Sequence, residues 1–89
     1  MINFKADIKD VGIEEVKGNF TKLKGYSKLK FFSHKDNGYW YIREHSTGRR
    51  VGKGTTEVSA KQNARAYLKE YLHNQIEEQI ESINSINKV

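Results

Sequence analysis

Two turn signals between aromatic-rich runs constrain the fold of this chain more than any other feature. Asn37-Gly38 suits the positive φ angles of a tight hairpin turn, and Ser46, Thr47 and Gly48 mark a second turn. Segments rich in aromatic and β-branched side chains flank these turns, at residues 28–34, 39–45 and 49–53. The pattern predicts three antiparallel strands in a meander.

Helical periodicity begins after the third predicted strand. Thr55 or Thr56 can supply an N-cap oxygen, and the apolar residues that then recur on one helix face are Ala60, Ala64, Leu68, Leu72, Ile76, Ile80 and Ile83. The spacing predicts a helix over residues 56–84. An unbroken helix of this length would span about 42 Å. That is longer than a domain of this size. Either the helix breaks near His73-Asn74, or Ile76, Ile80 and Ile83 pack on a partner, most simply a second copy of the chain.

The first 26 residues carry two different periods. Residues 2–8 alternate apolar and polar side chains, which predicts a short strand. The apolar residues that follow have spacings of 3, 4 and 3, the pattern of one helix face, and they are Ile13, Val16, Phe20 and Leu23. We therefore expect a short N-terminal helix with Asp10 as its N-cap and Gly25 near its end. The predicted fold is α+β: a three-stranded antiparallel sheet packed on a long C-terminal helix, in the order α-β-β-β-α.

Length and composition limit the class of protein. Eighty-nine residues form one domain, here divided into an N-terminal segment (1–26), a meander (27–54) and a helix (56–84). The apolar fraction of 36% predicts a thin core. The chain has no cysteine, which excludes disulfides, thiolate nucleophiles and zinc sites built on sulfur. It contains no apolar run of about 20 residues and no signal-peptide pattern, so we expect a cytoplasmic protein without membrane contact.

The formal net charge of +5 is unevenly distributed along the chain. Residues 17–53 carry ten basic and two acidic side chains, a net +8, whereas residues 1–16 sum to −2 and residues 54–89 to −1. A cationic block of this kind can steer a polyanion toward one part of the surface. A lysine-rich solubility surface would have the same composition.

Strand alternation separates the meander into two faces. The face expected to pack on the helix carries Leu29, Phe31, Trp40, Ile42 and Val51. The opposite face combines rings with cations and carries Lys28, Lys30, Phe32, Tyr39, Tyr41, Arg43 and Arg50. Lysine and arginine neutralise phosphates, and aromatic rings stack on bases or line a groove, so this face is typical of nucleic-acid binding. Alternatively, the N-terminal segment covers these rings as ordinary cross-strand pairs.

The candidate motifs for a phosphate-binding loop and a metal site do not have the spacing that such sites require. In residues 48–55, only three residues separate Gly48 from Gly52, and Gly54 lies between Lys53 and Thr55, so the spacing is not that of a phosphate-binding loop. The three histidines are His34, His45 and His73, and they lack ligand spacing. We expect no cofactor, no metal and no enzymatic activity.

Residues 52–64 resemble the end of a double-stranded-RNA-binding domain, whose last strand and helix follow a pattern like G-x-G-x-S-K-K-x-A-K-x-x-A. The matching residues are Gly52, Gly54, Ala60, Lys61 and Ala64, with Thr56 in place of serine. This resemblance implies contact with an A-form duplex across its minor grooves. The sequence departs from the family at Glu57 and Val58, where the family has lysines, and it lacks the Gly-Pro-x-His loop.

A second resemblance is to the arm-type DNA-binding domain of phage and transposon integrases. The residues that loosely fit are Trp40, Thr47, Gly48, Arg49, Lys53, Gly54 and Ala60, although the glycine-to-alanine spacing is one residue short. This resemblance implies a sheet that enters a DNA major groove.

The sequence as a whole predicts a non-catalytic protein that binds double-stranded DNA or RNA. The predicted contacts are Lys28, Lys30, Tyr39, Tyr41, Arg43, Arg49, Arg50, Lys53 and Lys61. The alternative is a small phage or mobile-element protein that inhibits or adapts a host protein by direct binding.

Overall fold

Five antiparallel strands and one helix make up the part of the chain described by the structure, a computed structural model that describes residues 1–71 and 87. The elements are β1 (Ile2–Ile8), β2 (Gly12–Thr21), β3 (Phe31–Asp36), β4 (Tyr39–Glu44), β5 (Arg50–Gly54) and α1 (Glu57–Tyr71). The strands form one sheet in the order β1-β2-β3-β4-β5. The fold is α+β, but the predicted three-stranded sheet with an N-terminal helix is wrong.

The region expected to be the N-terminal helix is strand β2. It pairs with β1 from Ile2 opposite Gly18 to Ile8 opposite Gly12. Asp10, expected as a helix N-cap, instead has a positive φ of 67° in the hairpin loop. Glycine and β-branched residues lower the helix propensity of this segment, and the alternating strand β1 provides a partner for it. Long-range pairing therefore overrides the local helical spacing.

The meander expected over residues 28–53 is present as β3, β4 and β5, the last three strands of the larger sheet. Asn37 and Gly38 both have positive φ, 50° and 80°, as a two-residue hairpin turn between Asp36 and Tyr39 requires. The second turn is stabilised by the buried carboxylate of Glu44, which accepts hydrogen bonds from the backbone N–H groups of Ser46 and Thr47 at 2.7 and 2.8 Å.

Helix α1 packs on one face of the sheet, as expected. Its buried residues Ala60, Ala64 and Leu68 form a core with residues that include Phe31, Ile42 and Val51. Thr56 is the N-cap, because its Oγ1 accepts from the Ser59 N–H at 3.1 Å while Ser59 Oγ accepts from the Thr56 N–H at 3.1 Å. The predicted continuation to residue 84, with Leu72, Ile76, Ile80 and Ile83, lies outside the described residues.

The β1–β2 hairpin covers much of the other face of the sheet. Strand β2 pairs with β3 only over its last three residues, from Asn19 to Thr21. Its Gly18 lies directly against the backbone of Ser33, leaving no room for a side chain. On the N-terminal side of Gly18, the hairpin lies across the face of the sheet. There the Asp7 N–H donates to the carbonyl of Gly48, in the β4–β5 connection, at 3.0 Å.

A second apolar cluster fills the space beneath β1. The Phe4 ring stacks on Phe32 with centroids 4.3 Å apart and meets Phe20 edge-on at 5.0 Å. Phe32, expected on an open face, is therefore fully buried. Asn87 closes the same region: its amide donates to the carbonyls of Lys5 and His45 at 2.8 and 2.7 Å and accepts from the Lys5 N–H at 2.7 Å.

In the part of the chain that the structure describes, no helix has the length and apolarity needed to cross a membrane.

Candidate nucleic-acid interface

The part of the sheet face that β1 leaves open is centred on strands β4 and β5. Alternation along β4 places Tyr39 and Tyr41 on the side opposite Ile42, and the register sets Tyr41 against Lys53 of β5. Arg43 pairs with Arg50 across the same two strands, after a register shift between Ile42 and Arg43. We refer to the accessible side chains of this surface as the β4–β5 strip; its members are Tyr39, Tyr41, Arg50 and Lys53.

Cations and rings are in direct contact within the β4–β5 strip. The Lys53 ammonium lies 4.3 Å from the Tyr39 ring centroid and 5.7 Å from that of Tyr41. The Arg43 guanidinium lies 5.7 Å from the Tyr41 centroid. These distances are within the range of cation–π attraction. The surface therefore alternates positive charge with aromatic faces over a few ångströms.

Arg43 anchors the strip from beneath and is 5% exposed. Its Nη1 donates to the carbonyls of Asp7 and Gly48 at 3.1 and 3.0 Å, and its Nε donates to Nε2 of His34 at 2.8 Å. Burial, followed by the charge of Arg50, lowers the pKa of Arg43. An arginine nevertheless stays protonated in proteins, so a charged guanidinium ties β1 to the sheet.

His34 is held in its neutral form by this contact. Its Nε2 accepts the Arg43 hydrogen bond and therefore carries no proton. Burial, together with the nearby Arg43 charge, lowers the pKa of His34 to about 4. The ring stacks on Tyr41 with centroids 5.1 Å apart and an interplanar angle of 14°. His34 thus supports the Tyr41 ring from the side of β3.

A cleft of about 480 Å³ opens between β1 and the β4–β5 strip. The cations lining it are Lys9, Arg43, Arg49 and Arg50, and the carboxylates are Asp7 and Asp36. Asp7 lies 3.8 Å from Arg49 in an exposed ion pair. With His34 neutral, the described residues of the lining carry a formal +2, so their electrostatic preference is for an anion.

The structure brings together five of the nine predicted contact residues: Tyr39, Tyr41, Arg43, Arg50 and Lys53. Arg49 lies at the rim of the adjoining cleft. Arg43 is buried, whereas it was expected on the open face of the sheet. Strand β1 covers it: the Asp7 carbonyl accepts from the Arg43 guanidinium. A strand was expected at residues 2–8, but its hairpin partner β2 was expected to be a helix.

The remaining predicted contacts lie elsewhere. Lys28 and Lys30 are exposed in the connection between β2 and β3, outside the β4–β5 strip. Lys61 is on α1, which packs on the opposite face of the sheet. Ile76, Ile80 and Ile83, the predicted partner contacts, lie outside the described residues.

His34, Lys9 and Asp7 were not among the predicted contacts. Alternation from Phe32 places His34 on the same face as Tyr41, so the sequence contained a signal for it. Lys9 and Asp7 reach the cleft only because β1 crosses the sheet, and no local pattern encodes that crossing.

Across residues 1–71 and Asn87, no group of three or more histidine, aspartate or glutamate side chains is placed to hold a metal ion. No family model, curated protein or solved structure matches this chain.

Proposed function

We propose that this protein is a non-catalytic nucleic-acid-binding protein and that the β4–β5 strip is its contact surface. The observation that supports this most directly is the Lys53 ammonium between two tyrosine rings, beside Arg50 and next to a cationic cleft. A nucleic acid offers both of the groups that such a surface would bind, namely phosphates and flat bases.

The charged side chains of the strip have the accessibility that phosphate contact requires. Arg50 and Lys53 are both exposed on the edge strand β5, where they pair with Arg43 and Tyr41 of β4, and Arg49 lies beside them at the cleft. Each would release counterions on binding a phosphate. Three such contacts give a slope of about −2.7 in a plot of log affinity against log salt, or roughly a 40-fold loss of affinity between 50 and 200 mM salt.

Tyr39 supplies an aromatic surface that no other ring in the described part of the chain covers. It is 42% exposed, and Lys53 lies over its ring. An exposed ring of this kind can stack on an unpaired base or lie against the sugars of a groove. Tyr41 is more enclosed, since His34 stacks on it. We therefore assign stacking or groove contact to Tyr39 and a supporting role to Tyr41.

The test is the affinity of the purified protein for labelled duplex and single-stranded DNA and RNA at several salt concentrations. Arg50→Gln combined with Lys53→Gln should lower affinity by about tenfold or more and reduce the salt slope by about 1.8. The matched control is Lys17→Gln with Lys69→Gln, which removes the same charge from exposed positions outside the strip.

Two results would overturn the proposal. One is equal loss of affinity in the strip variant and the control, which would indicate general charge rather than a site. The other is undetectable binding of the wild type to every polymer at about 50 mM salt. In that case direct binding to a host protein, the alternative function, becomes the better explanation, and a nuclease-treated pull-down would test it.

A further inference from the structure

A second cationic surface lies on the helix side of the sheet. It surrounds a cavity of about 330 Å³ lined by Lys22, Lys24, Lys61 and Arg65 together with Leu23, Val58 and Gln62. We call the four cations the helix-side patch. Among the described residues, no carboxylate lines this cavity and none of the four cations forms an ion pair.

Two separate elements build the patch. On α1, Val58, Lys61 and Arg65 lie at spacings of three and four residues, which places them along one flank of the helix. The other two cations flank Leu23, which is 3% exposed and belongs to the main core. Because Leu23 is fixed in that core, Lys22 and Lys24 are held beside the helix. The patch is therefore a consequence of tertiary packing.

The helix-side patch and the β4–β5 strip lie on opposite sides of the sheet. Helix α1 packs on the face that carries Ile42 and Val51, whereas Tyr41 and Lys53 project from the other face. The described residues extend over 31 × 25 × 24 Å, and both the sheet and the helix lie between the two surfaces, a thickness greater than one Debye length of about 8–10 Å at physiological salt. Salt would therefore screen most of the repulsion between two polyanions held on opposite sides.

We propose that the helix-side patch binds the phosphate backbone of a second nucleic-acid duplex, so that one protein molecule bridges two duplexes. This rests on the proposed function of the β4–β5 strip, which would hold the first duplex. The ligand chemistry follows from the patch, because four cations with no acidic side chain among the described residues of the cavity lining suit a row of phosphates. When both surfaces are occupied, one protein molecule holds two nucleic-acid duplexes close to each other.

The experiment is a capture assay in which one duplex is fixed to beads and a second, fluorescent duplex of a different sequence is free in solution. Wild-type protein should retain the fluorescent duplex on the beads. Lys61→Gln with Arg65→Gln should reduce this capture by about tenfold, because two phosphate contacts are lost. The same variant should bind a single short duplex within about threefold of the wild type, since the strip remains intact. The control here is Lys17→Gln with Lys35→Gln, which removes the same charge from exposed positions outside both surfaces and should capture normally.

The outcomes separate the two proposals. A wild type that binds one duplex but captures no second one overturns bridging and leaves the proposed function standing. Capture that persists in Lys61→Gln/Arg65→Gln also overturns it, because bridging would then arise by another route, such as a dimer presenting two strips. If neither duplex is bound, both proposals fail. Glutamine is a good helix former, and an unchanged melting temperature would show that the variant remains folded.

Discussion

Arg43 and His34 are joined by a 2.8 Å hydrogen bond in which the arginine Nε donates to the histidine Nε2. A buried cation is thus paired with a ring that must stay neutral, and the same guanidinium reaches the carbonyls of Asp7 and Gly48. These hydrogen bonds hold β1 across the sheet, and the position of β1 determines how much of the face that carries the β4–β5 strip stays open. Both the stability of the fold and the shape of the candidate site depend on it.

The neutral state of His34 predicts a loss of stability in mild acid. Its pKa is lowered to about 4, whereas an unfolded histidine titrates near 6.5. Between these values the unfolded chain binds a proton that the folded chain does not, so stability is complete above about pH 6.5 and falls as the pH decreases toward 4. The expected loss from this residue is about 2–3 kcal/mol, measured by urea unfolding from pH 7 to pH 4.5.

His34→Gln provides the control for this pH dependence. The glutamine carbonyl can still accept from Arg43 but does not titrate. The variant should have a flatter stability profile over this range, retaining the smaller contribution of His45, whose pKa is lowered chiefly by burial. An unchanged slope in His34→Gln would assign the acid sensitivity to other groups.

Replacing Arg43 by lysine should destabilise the fold although the charge is kept. A single ammonium cannot reproduce the three-way contact with His34, Asp7 and Gly48, so buried acceptors would lose their donor. We expect a loss of about 2–4 kcal/mol in the free energy of unfolding. The control is Arg50→Lys, at the exposed position that pairs with Arg43 on β5. It should change the free energy of unfolding by less than about 0.5 kcal/mol. Equal effects of the two substitutions would contradict the anchoring role.

Gly18 is predicted to be the position in β2 least tolerant of a side chain. A Cβ there would collide with the Ser33 carbonyl oxygen, which is backbone and cannot rotate away. Gly18→Ala should cost about 3 kcal/mol by chemical denaturation. Gly12→Ala, where φ is +101° but nothing lies within 4 Å, should cost only about 1 kcal/mol of backbone strain. A reversed order would show that β2 does not approach β3 in this way.

Asn87 is predicted to hold the end of the chain against β1 through its amide group. Asn87→Asp preserves the shape but replaces the NH₂ that donates to the Lys5 and His45 carbonyls by an oxygen that repels them. Thermal unfolding should show a loss of about 2 kcal/mol. Asn63→Asp is the control, because the Asn63 amide also donates to a carbonyl, that of Lys53, but in an exposed position. A comparable loss in both variants would argue against a specific contact at residue 87.

The parts of the fold that the sequence predicts well are those determined by neighbouring residues. The Asn37-Gly38 turn has its own backbone preference, and the strands on either side have a clear period of two. The N-cap at Thr56 is equally local. By contrast, the apolar residues from Ile13 to Phe20 satisfy a helical spacing, and only pairing with β1 and, at Phe20, with β3 makes them a strand.

In the candidate site, too, the sequence predicts what neighbouring residues determine and misses what tertiary packing determines. Alternation correctly separates the face of Ile42 from the face of Tyr41, but it carries no information about what covers each face. Arg43 is therefore on the predicted side of the sheet and yet buried beneath β1. The helix-side patch is even less predictable from the sequence. Lys22 and Arg65 are distant in sequence and come together only through the packing of Leu23.

Tyr39 should contribute to nucleic-acid affinity through its ring rather than its hydroxyl. The ring is exposed and carries Lys53 on its face, an arrangement that phenylalanine retains and leucine does not. In single-stranded binding assays, Tyr39→Phe should stay within about twofold of the wild type and Tyr39→Leu should lose about tenfold, since one stacked base is worth about 1–3 kcal/mol. Equal losses in both variants would point to the hydroxyl, and no loss in either would remove Tyr39 from the contact surface.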